Sequence, residues 1–304
     1  MKVAVLIPCY NESLTIEKVI ADFRRELSDA AIYVYDNNST DGSAEIAARA
    51  GATVRHVSQQ GKGHVVRRMF QEIDADVYVL VDGDDTYPAE DAHALIAPVA
   101  DGTADMVYGD RLSSTYMTEN KRPGHNFGNV LVCGLVKWLW HQDVRDVMTG
   151  YRAVSRRFAK TCPILSNGFE IETEMILHTM DKRLCLKAVP VQYRDRPKGS
   201  ISKLNTVGDG IRVLKTIFNM FRFYRPLAFF GAIGVVLVLV AGGMMVPVLS
   251  DYFATGLVPR FPTLICACFL LTAALLSFGI ALILDAVKKQ SDQAFERAFA
   301  NVLS

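Results

Sequence analysis

Two stretches of the chain carry no charged residue at all, from Pro226 to Ser250 and from Phe261 to Leu284. Each exceeds the roughly 20 residues that an α-helix needs to cross a bilayer, a length that a buried core hairpin seldom requires. The sequence therefore predicts two transmembrane helices, at about 226–250 and 261–284. Basic residues flank the outer ends of the pair: Lys215, Arg222 and Arg225 before the first span, Lys288 and Lys289 after the second. The connecting segment from Asp251 to Arg260 holds a single arginine. By the positive-inside rule both termini are expected in the cytoplasm, with a short loop outside, as for a multi-pass protein of the inner (cytoplasmic) membrane.

Before Arg225 the chain alternates apolar and charged segments in the manner of a water-soluble domain. Val3 to Ile7 is too short an apolar run for a signal peptide, and Pro8 ends it. The six cysteines show no zinc or redox spacing and read as reduced packing residues. A formal net charge of +1 over 304 residues gives no support for nucleic-acid binding.

Short β-branched runs alternate with helical periodicity along this first part. Val3-Ala4-Val5-Leu6-Ile7, Ile32-Tyr33-Val34-Tyr35, Ala52 to Val57, Val77 to Val81 and Met106-Val107-Tyr108 read as strands. Leu14 to Leu27, the stretch ending at Gly51, His64 to Ile73 and Glu90 to Val99 read as helices. That alternation predicts an α/β fold with a doubly wound, mainly parallel sheet. The polar loops after the first, second, fourth and fifth strands then share one sheet edge, where ligands of such folds bind. Asp36, Asp82, Asp84 and Arg111 are expected to converge there. Farther on, Asn126 to Trp140 and Phe169 to Met180 read as helices, and Leu186 to Arg194 as a strand. Thr206 to Tyr224 is amphipathic and fits a helix lying in the membrane interface, with core packing as the competing reading.

The fourth strand ends in Asp82-Gly83-Asp84-Asp85-Thr86. Carboxylates this close repel one another unless a cation or a donor network neutralises them, and an Asp-x-Asp at a strand end suits Mg²⁺ or Mn²⁺ shared with phosphate oxygens. An acidic turn with an Asp helix cap is the alternative. Asp36 ends the second strand, where an acceptor can take nucleotide hydroxyls or a base. Gly61-Lys62-Gly63 lacks the spacing of an ATPase phosphate loop, although Lys62 can still reach a phosphate. Arg196-Pro197-Lys198-Gly199-Ser200-Ile201-Ser202-Lys203 is a basic loop placed to close over an anion, or else a positive flank of the membrane segment.

Taken together, Ile7-Pro8-Cys9-Tyr10-Asn11-Glu12, Asp36 to Ser43, Asp82-Gly83-Asp84, Gly109-Asp110-Arg111, Asp146 to Arg152 and the loop from Arg196 to Leu204 resemble an inverting family-two glycosyltransferase of the GT-A nucleotide-sugar-binding fold. More narrowly the chain is similar to polyprenyl-phosphate glycosyltransferases, of the dolichol-phosphate mannosyltransferase and undecaprenyl-phosphate glucosyltransferase type. The resemblance implies a catalytic domain over 1–204, an interfacial helix over 205–225, a two-helix membrane domain over 226–285 and a cytoplasmic tail over 286–304. It implies that Pro8, Tyr10, Glu12, Asp36, Lys62 and Asp82 hold the nucleotide. Asp82, Asp84 and Arg111 carry the chemistry, with Asp82, Asp84 and Asp85 at a Mg²⁺ or Mn²⁺ ion. Arg111, Arg122, Arg152, Arg196, Ser202 and Lys203 meet the acceptor and phosphates.

Two departures stand out. Relatives often have Asp-Ala-Asp-Leu-Gln where this chain has Asp82 to Thr86, and many have a serine where it has Asn126. The implied partners are a nucleotide diphosphate sugar, a polyprenyl phosphate lipid, the membrane and further copies of the chain in a tetramer. A UDP-hexose is the favoured donor, GDP-mannose the alternative, and an inactive nucleotide-sugar-binding scaffold is the reading from another class.

Overall fold

The computed structural model describes residues 1–112, 125–197, 215, 217–219 and 221–303. The chain divides into two units, one comprising Met1–Ile217 with Ala298–Ser304 and the other Phe218–Arg297.

The first unit is built on a seven-stranded sheet. In chain order its elements are β1 (Val3–Cys9), α1 (Ile16–Glu26), β2 (Ala31–Asp36), α2 (Ser43–Arg49), β3 (Thr53–His56), α3 (Lys62–Glu72), β4 (Val77–Leu80), a 3-10 turn (Ala89–Asp91), α4 (Ala92–Ala100), β5 (Met106–Asp110), α5 (His125–Trp140), β6 (Arg152–Ser155), α6 (Arg156–Thr161), α7 (Ile171–Asp181) and β7 (Leu186–Pro190). The strands lie in the order β3-β2-β1-β4-β6-β5-β7. β1 pairs in parallel with β2 and β4, β2 with β3, and β5 with β7. β6 runs antiparallel to both β4 and β5, so those two point the same way.

Helices on both faces bury β4 completely, which is why it reads as an unbroken apolar run. Ile16, Val19, Ile20 and Phe23 of α1 pack on Val5, Ile7, Val79 and Val81 to make the main core. Because β1, β2, β4 and β5 are parallel, the polar segments that follow them emerge along one edge, as their order in the sequence predicts.

The fold adds two elements and shortens one strand. The sequence reading contains neither the reversed strand β6 nor helix α6; Arg152-Ala153-Val154-Ser155 has only two apolar residues, and its pairing with Leu80 and Tyr108 defines it. The strand expected to reach Arg194 ends at Pro190, which has no N–H to continue the ladder. The expected interfacial helix over 205–225 falls mostly outside the described residues.

The second unit holds α8 (Pro226–Thr255) and α9 (Phe261–Leu303) as far as Arg297. Both contain segments long and apolar enough to span a membrane. Small side chains face inward, with Ala241, Ala267, Ala274 and Ala281 buried, while Leu239, Phe269, Leu275 and Leu282 are exposed. Close helix approach through small residues with bulky groups outward is the packing expected in lipid. Ser277 Oγ donates to the carbonyl of Phe230 at 2.8 Å across the pair. The helical structure of α9 continues well past Leu284. No glycine or proline interrupts 285–303, and the ion pairs Lys289–Asp285 (2.9 Å) and Lys288–Asp292 (2.7 Å), each one helical turn apart, support the extension.

Candidate active site

The segments after β1 and β2 are knitted together. Ser39 Oγ accepts from the Asn11 N–H at 2.9 Å, Ser43 Oγ from the Glu12 N–H at 2.8 Å, and Asn11 Oδ1 from the Thr40 N–H at 2.8 Å. Pro8 and Tyr10 therefore sit beside Asp36 at the sheet edge; Cys9 and Asp36 are register partners. Asp36 is buried, and its Oδ2 accepts from the Ser39 N–H at 3.2 Å and lies 3.3 Å from His56 Nδ1. Its Oδ1 is buried without a hydrogen-bond partner. A buried acceptor left open in this way is costly unless a ligand donates to it. Asn37 anchors the next segment, donating to the carbonyls of Val57 and Gln59 at 2.8 Å and accepting from the Gly61 N–H at 2.8 Å.

Lys62 follows directly, at the start of α3. Its ammonium lies 2.5 Å from Asp82 Oδ1 and 2.7 Å from Glu172 Oε1, with the Phe169 ring 5.8 Å away. Burial alone would lower the Lys62 pKa, but the two carboxylates outweigh it and push it up. Burial likewise opposes ionisation of Asp82, yet the Lys62 ammonium holds its carboxyl below the usual carboxylate range. Asp84 behaves oppositely: burial and then the Asp82 charge push its pKa up, even though Arg196 pairs with it. Asp84 Oδ1 accepts from Thr86 Oγ1 at 2.6 Å, which fixes its rotamer. Arg196 also reaches to 3.9 Å from Glu12.

These contacts bear on a divalent ion. Among the described residues no three His, Cys, Asp or Glu side chains gather as a ligand group. Asp85, expected at the metal, adopts a left-handed backbone (φ 58°) and turns its carboxylate to Lys18 at 2.7 Å. What remains is Asp82 and Asp84, two neighbouring carboxylates that the chain's own cations neutralise. Mg²⁺ and Mn²⁺ accept one or two carboxylates with phosphate and water completing the sphere, so this donor set fits an ion that arrives with a diphosphate.

Arg111 leaves the end of β5 and is held rigidly. Its Nε and Nη2 donate to Asp146 Oδ2 and Oδ1 at 2.7 and 2.9 Å, and Asn129 Nδ2 donates to the same carboxylate at 3.0 Å. Tyr193 stacks on the guanidinium at 5.6 Å. Arg152, expected at the phosphates, lies instead beneath the site. It is fully buried on β6, donating to the carbonyls of Thr149 at 3.0 Å and Val147 at 2.9 Å, so that it braces the turn carrying Gly150. Burial lowers its pKa to about 10. Arg122, Ser202 and Lys203 lie outside the described residues.

Glu172 and Asp146 were not foreseen as site residues. Asp146 opens the motif from Asp146 to Arg152, but only the fold turns it toward Arg111. Glu172 did leave a signal: Glu170, Glu172 and Glu174 alternate through the start of a helix whose residues Ile171 to Met180 are all buried. A carboxylate in so apolar a setting calls for a partner, and that partner lies 110 positions away.

A family model described as Glycosyl transferase family 2 matches residues 4–162. Glycosyltransferase AglJ of Haloferax volcanii is 36% identical over 238 residues, covering 76% of this chain and 76% of that protein. The dolichyl-phosphate hexose transferase of the same organism is 30% identical over 217 residues, covering 71% of this chain and 92% of that protein. Among solved structures, glucosyl-3-phosphoglycerate synthase of Mycobacterium tuberculosis, crystallised with Mn²⁺, UDP-glucose and phosphoglyceric acid, superposes with a TM-score of 0.59 at 24% identity, covering 72% of this chain and 79% of that one. A likeness at that identity speaks for the fold alone. The match to the family model and the identity to AglJ establish that the chain belongs to glycosyl transferase family 2, and that it is a glycosyltransferase built on the GT-A fold.

Proposed function

We propose that the chain transfers a hexose, with inversion, from a nucleotide diphosphate sugar to the phosphate of a polyprenyl lipid. The observation that carries this reading is the meeting of opposite charges at one sheet edge: Asp82 and Asp84 stand among Lys62, Arg111 and Arg196. The two membrane-length helices and the similarity to a dolichyl-phosphate hexose transferase support a lipid acceptor.

The nucleophile is an acceptor phosphate oxygen. With a second phosphate pKa near 6 it is already anionic at neutral pH, so no strong general base is needed. The new bond forms between that oxygen and the anomeric carbon as the bond to the donor β-phosphate oxygen breaks. The bonding pair leaves with the nucleoside diphosphate. Bringing two anions together is the main obstacle, and cations lower it. Asp36 Oδ1 accepts from the nucleotide, and Pro8, Tyr10 and Glu12 line the same end. Lys62 and Arg196 turn to the donor phosphates. Arg111, with Arg122, Ser202 and Lys203, takes the acceptor phosphate. Asp82 and Asp84 would hold Mg²⁺ or Mn²⁺, which when bound neutralises the departing diphosphate.

A UDP-hexose is the favoured donor. We assign the catalytic domain to 1–204, the membrane domain to 226–285 and both termini to the cytoplasm on the basic flanks, and a tetramer as the assembly. The test is a panel of radiolabelled nucleotide sugars offered to purified protein with undecaprenyl phosphate and Mn²⁺. One donor should give lipid-linked sugar, and Asp84→Ala should abolish it. Absence of product with every donor, or near-normal activity of Asp84→Ala, refutes the reading.

A further inference from the structure

The Lys62 ammonium is shared between two carboxylates that have different prospects. Asp82 belongs to the pair that fits a divalent ion; Glu172, which comes from α7, does not, since among the described residues no third carboxylate gathers with that pair. An arriving cation at Asp82 competes with the ammonium for that carboxylate, and like charges at such distances repel strongly in a buried site. A buried lysine that loses its only counter-charge is driven out or neutralised. Lys62 has a second one. Resting on the donor assignment above, we propose that Glu172 is a positioning residue that retains Lys62 against the donor diphosphate when Asp82 is given over to the metal.

The surroundings of Glu172 are built for such a hold. The segment before α7 is pressed onto the start of α3: the Gly63 N–H donates to the Asn167 carbonyl at 3.0 Å, and a Cβ at Gly63 would lie 2.0 Å from the Ser166 carbonyl oxygen. Only glycine permits that approach, and the approach is what brings α7 within reach of Lys62. Glu174, one residue beyond Thr173, ties the same segment down by accepting from the N–H groups of Leu165 and Ser166, each at 2.9 Å. Glu172 itself is buried, and Oε1 holds Lys62 while Oε2 has no hydrogen-bond partner. The Phe169 ring covers the ammonium from another side. Lys62 is therefore confined by groups that take no part in holding the ion, and it needs only to exchange one carboxylate oxygen for a phosphate oxygen.

The experiment measures binding by calorimetry with the detergent-solubilised full chain, using UDP and GDP in turn with Mn²⁺. Glu172→Gln keeps the shape of the side chain and removes its charge. Against the diphosphate that the unaltered protein binds, it should weaken affinity about tenfold, the range of a charge-assisted hydrogen bond. The decisive comparison is the double variant. In a Lys62→Gln background, Glu172→Gln should cost less than a further twofold, because Glu172 acts through Lys62. Unchanged affinity of Glu172→Gln, or losses that simply multiply in the double variant, overturns the proposal. If Glu172→Gln does not fold, Glu172→Asp, which keeps the charge but withdraws it by one methylene, is measured in the same two backgrounds and read by the same criteria. Failure of the unaltered protein to bind either diphosphate is a different result: it removes the donor assignment itself, and the role of Glu172 falls with it.

Discussion

Asp146 receives both Nε and Nη2 of Arg111, at 2.7 and 2.9 Å, from a position that solvent does not reach. A bidentate pair this buried fixes the plane of the guanidinium, and Asn129 fixes the carboxylate in turn. Removing one partner leaves a buried charge without compensation, which typically costs about 3–5 kcal/mol. Asp146→Asn should therefore lower the melting temperature of the detergent-solubilised protein by on the order of 10 °C. A melting curve that superimposes on that of the unaltered protein would show that Arg111 does not depend on Asp146.

Gly150 lies against the Asp82 carboxylate, so that a Cβ there would stand 2.2 Å from Asp82 Oδ2. Asp82 cannot simply swing aside, because its other oxygen is held by Lys62 at 2.5 Å. Gly150→Ala should displace Asp82 by about an ångström and reduce kcat for sugar transfer roughly 100-fold. Comparing turnover with thermal melting separates the two effects: the melting point should change little, and full turnover would contradict the close contact.

His178 is buried on α7, packed edge to face on Phe158. Burial, aided by the Lys182 charge, lowers its pKa from 6.5 to about 4. Between those values the unfolded chain binds more protons than the folded one, so stability rises with pH there. The contribution is fully present above about pH 6.5 and is lost as pH falls toward 4, amounting to about 2 kcal/mol by pH 5. Melting curves between pH 4.5 and 7.5 should show this loss, and His178→Gln should flatten it. An equally steep profile in the variant would assign the loss to other groups.

In the membrane unit, a Cβ at Gly234 would meet the Phe278 ring at 2.8 Å, whereas one at Gly231 meets nothing within 4 Å. Gly234→Leu should loosen the α8–α9 pair by about 1–3 kcal/mol, the usual range for overpacking. Gly231→Leu serves as the control and should be neutral. Equal effects on detergent stability would indicate that helix propensity, rather than the contact, is being measured.

Much of the architecture was legible because it rests on local signals. Alternating β-branched runs and helical spacing define β1 to β5 and their helices. The two uncharged stretches define α8 and the first part of α9. Asp82 and Asp84 announce themselves as paired carboxylates at a strand end, and Asp36 as an acid ending another. Strand β6 escaped because Arg152-Ala153-Val154-Ser155 holds only two apolar residues between a charged and a polar one, where β4 is an unbroken apolar run.

The rest depended on contacts between residues far apart in the chain. Arg152 looks like any arginine of a basic motif until β6 is placed in mid-sheet, where burial on both faces makes it a brace for the turn at Gly150. Asp85 looks like a third metal ligand until its left-handed backbone turns the carboxylate to Lys18. Glu172 is one acid among three on α7, and only the packing of that helix's leading segment onto Gly63 brings it to Lys62. The sequence alone determined which residue types line the sheet edge, since spacing along a strand or helix is a local property. The tertiary structure decided which charges face one another, because electrostatic partnership depends on distance through space and on burial, and neither is written in any single segment.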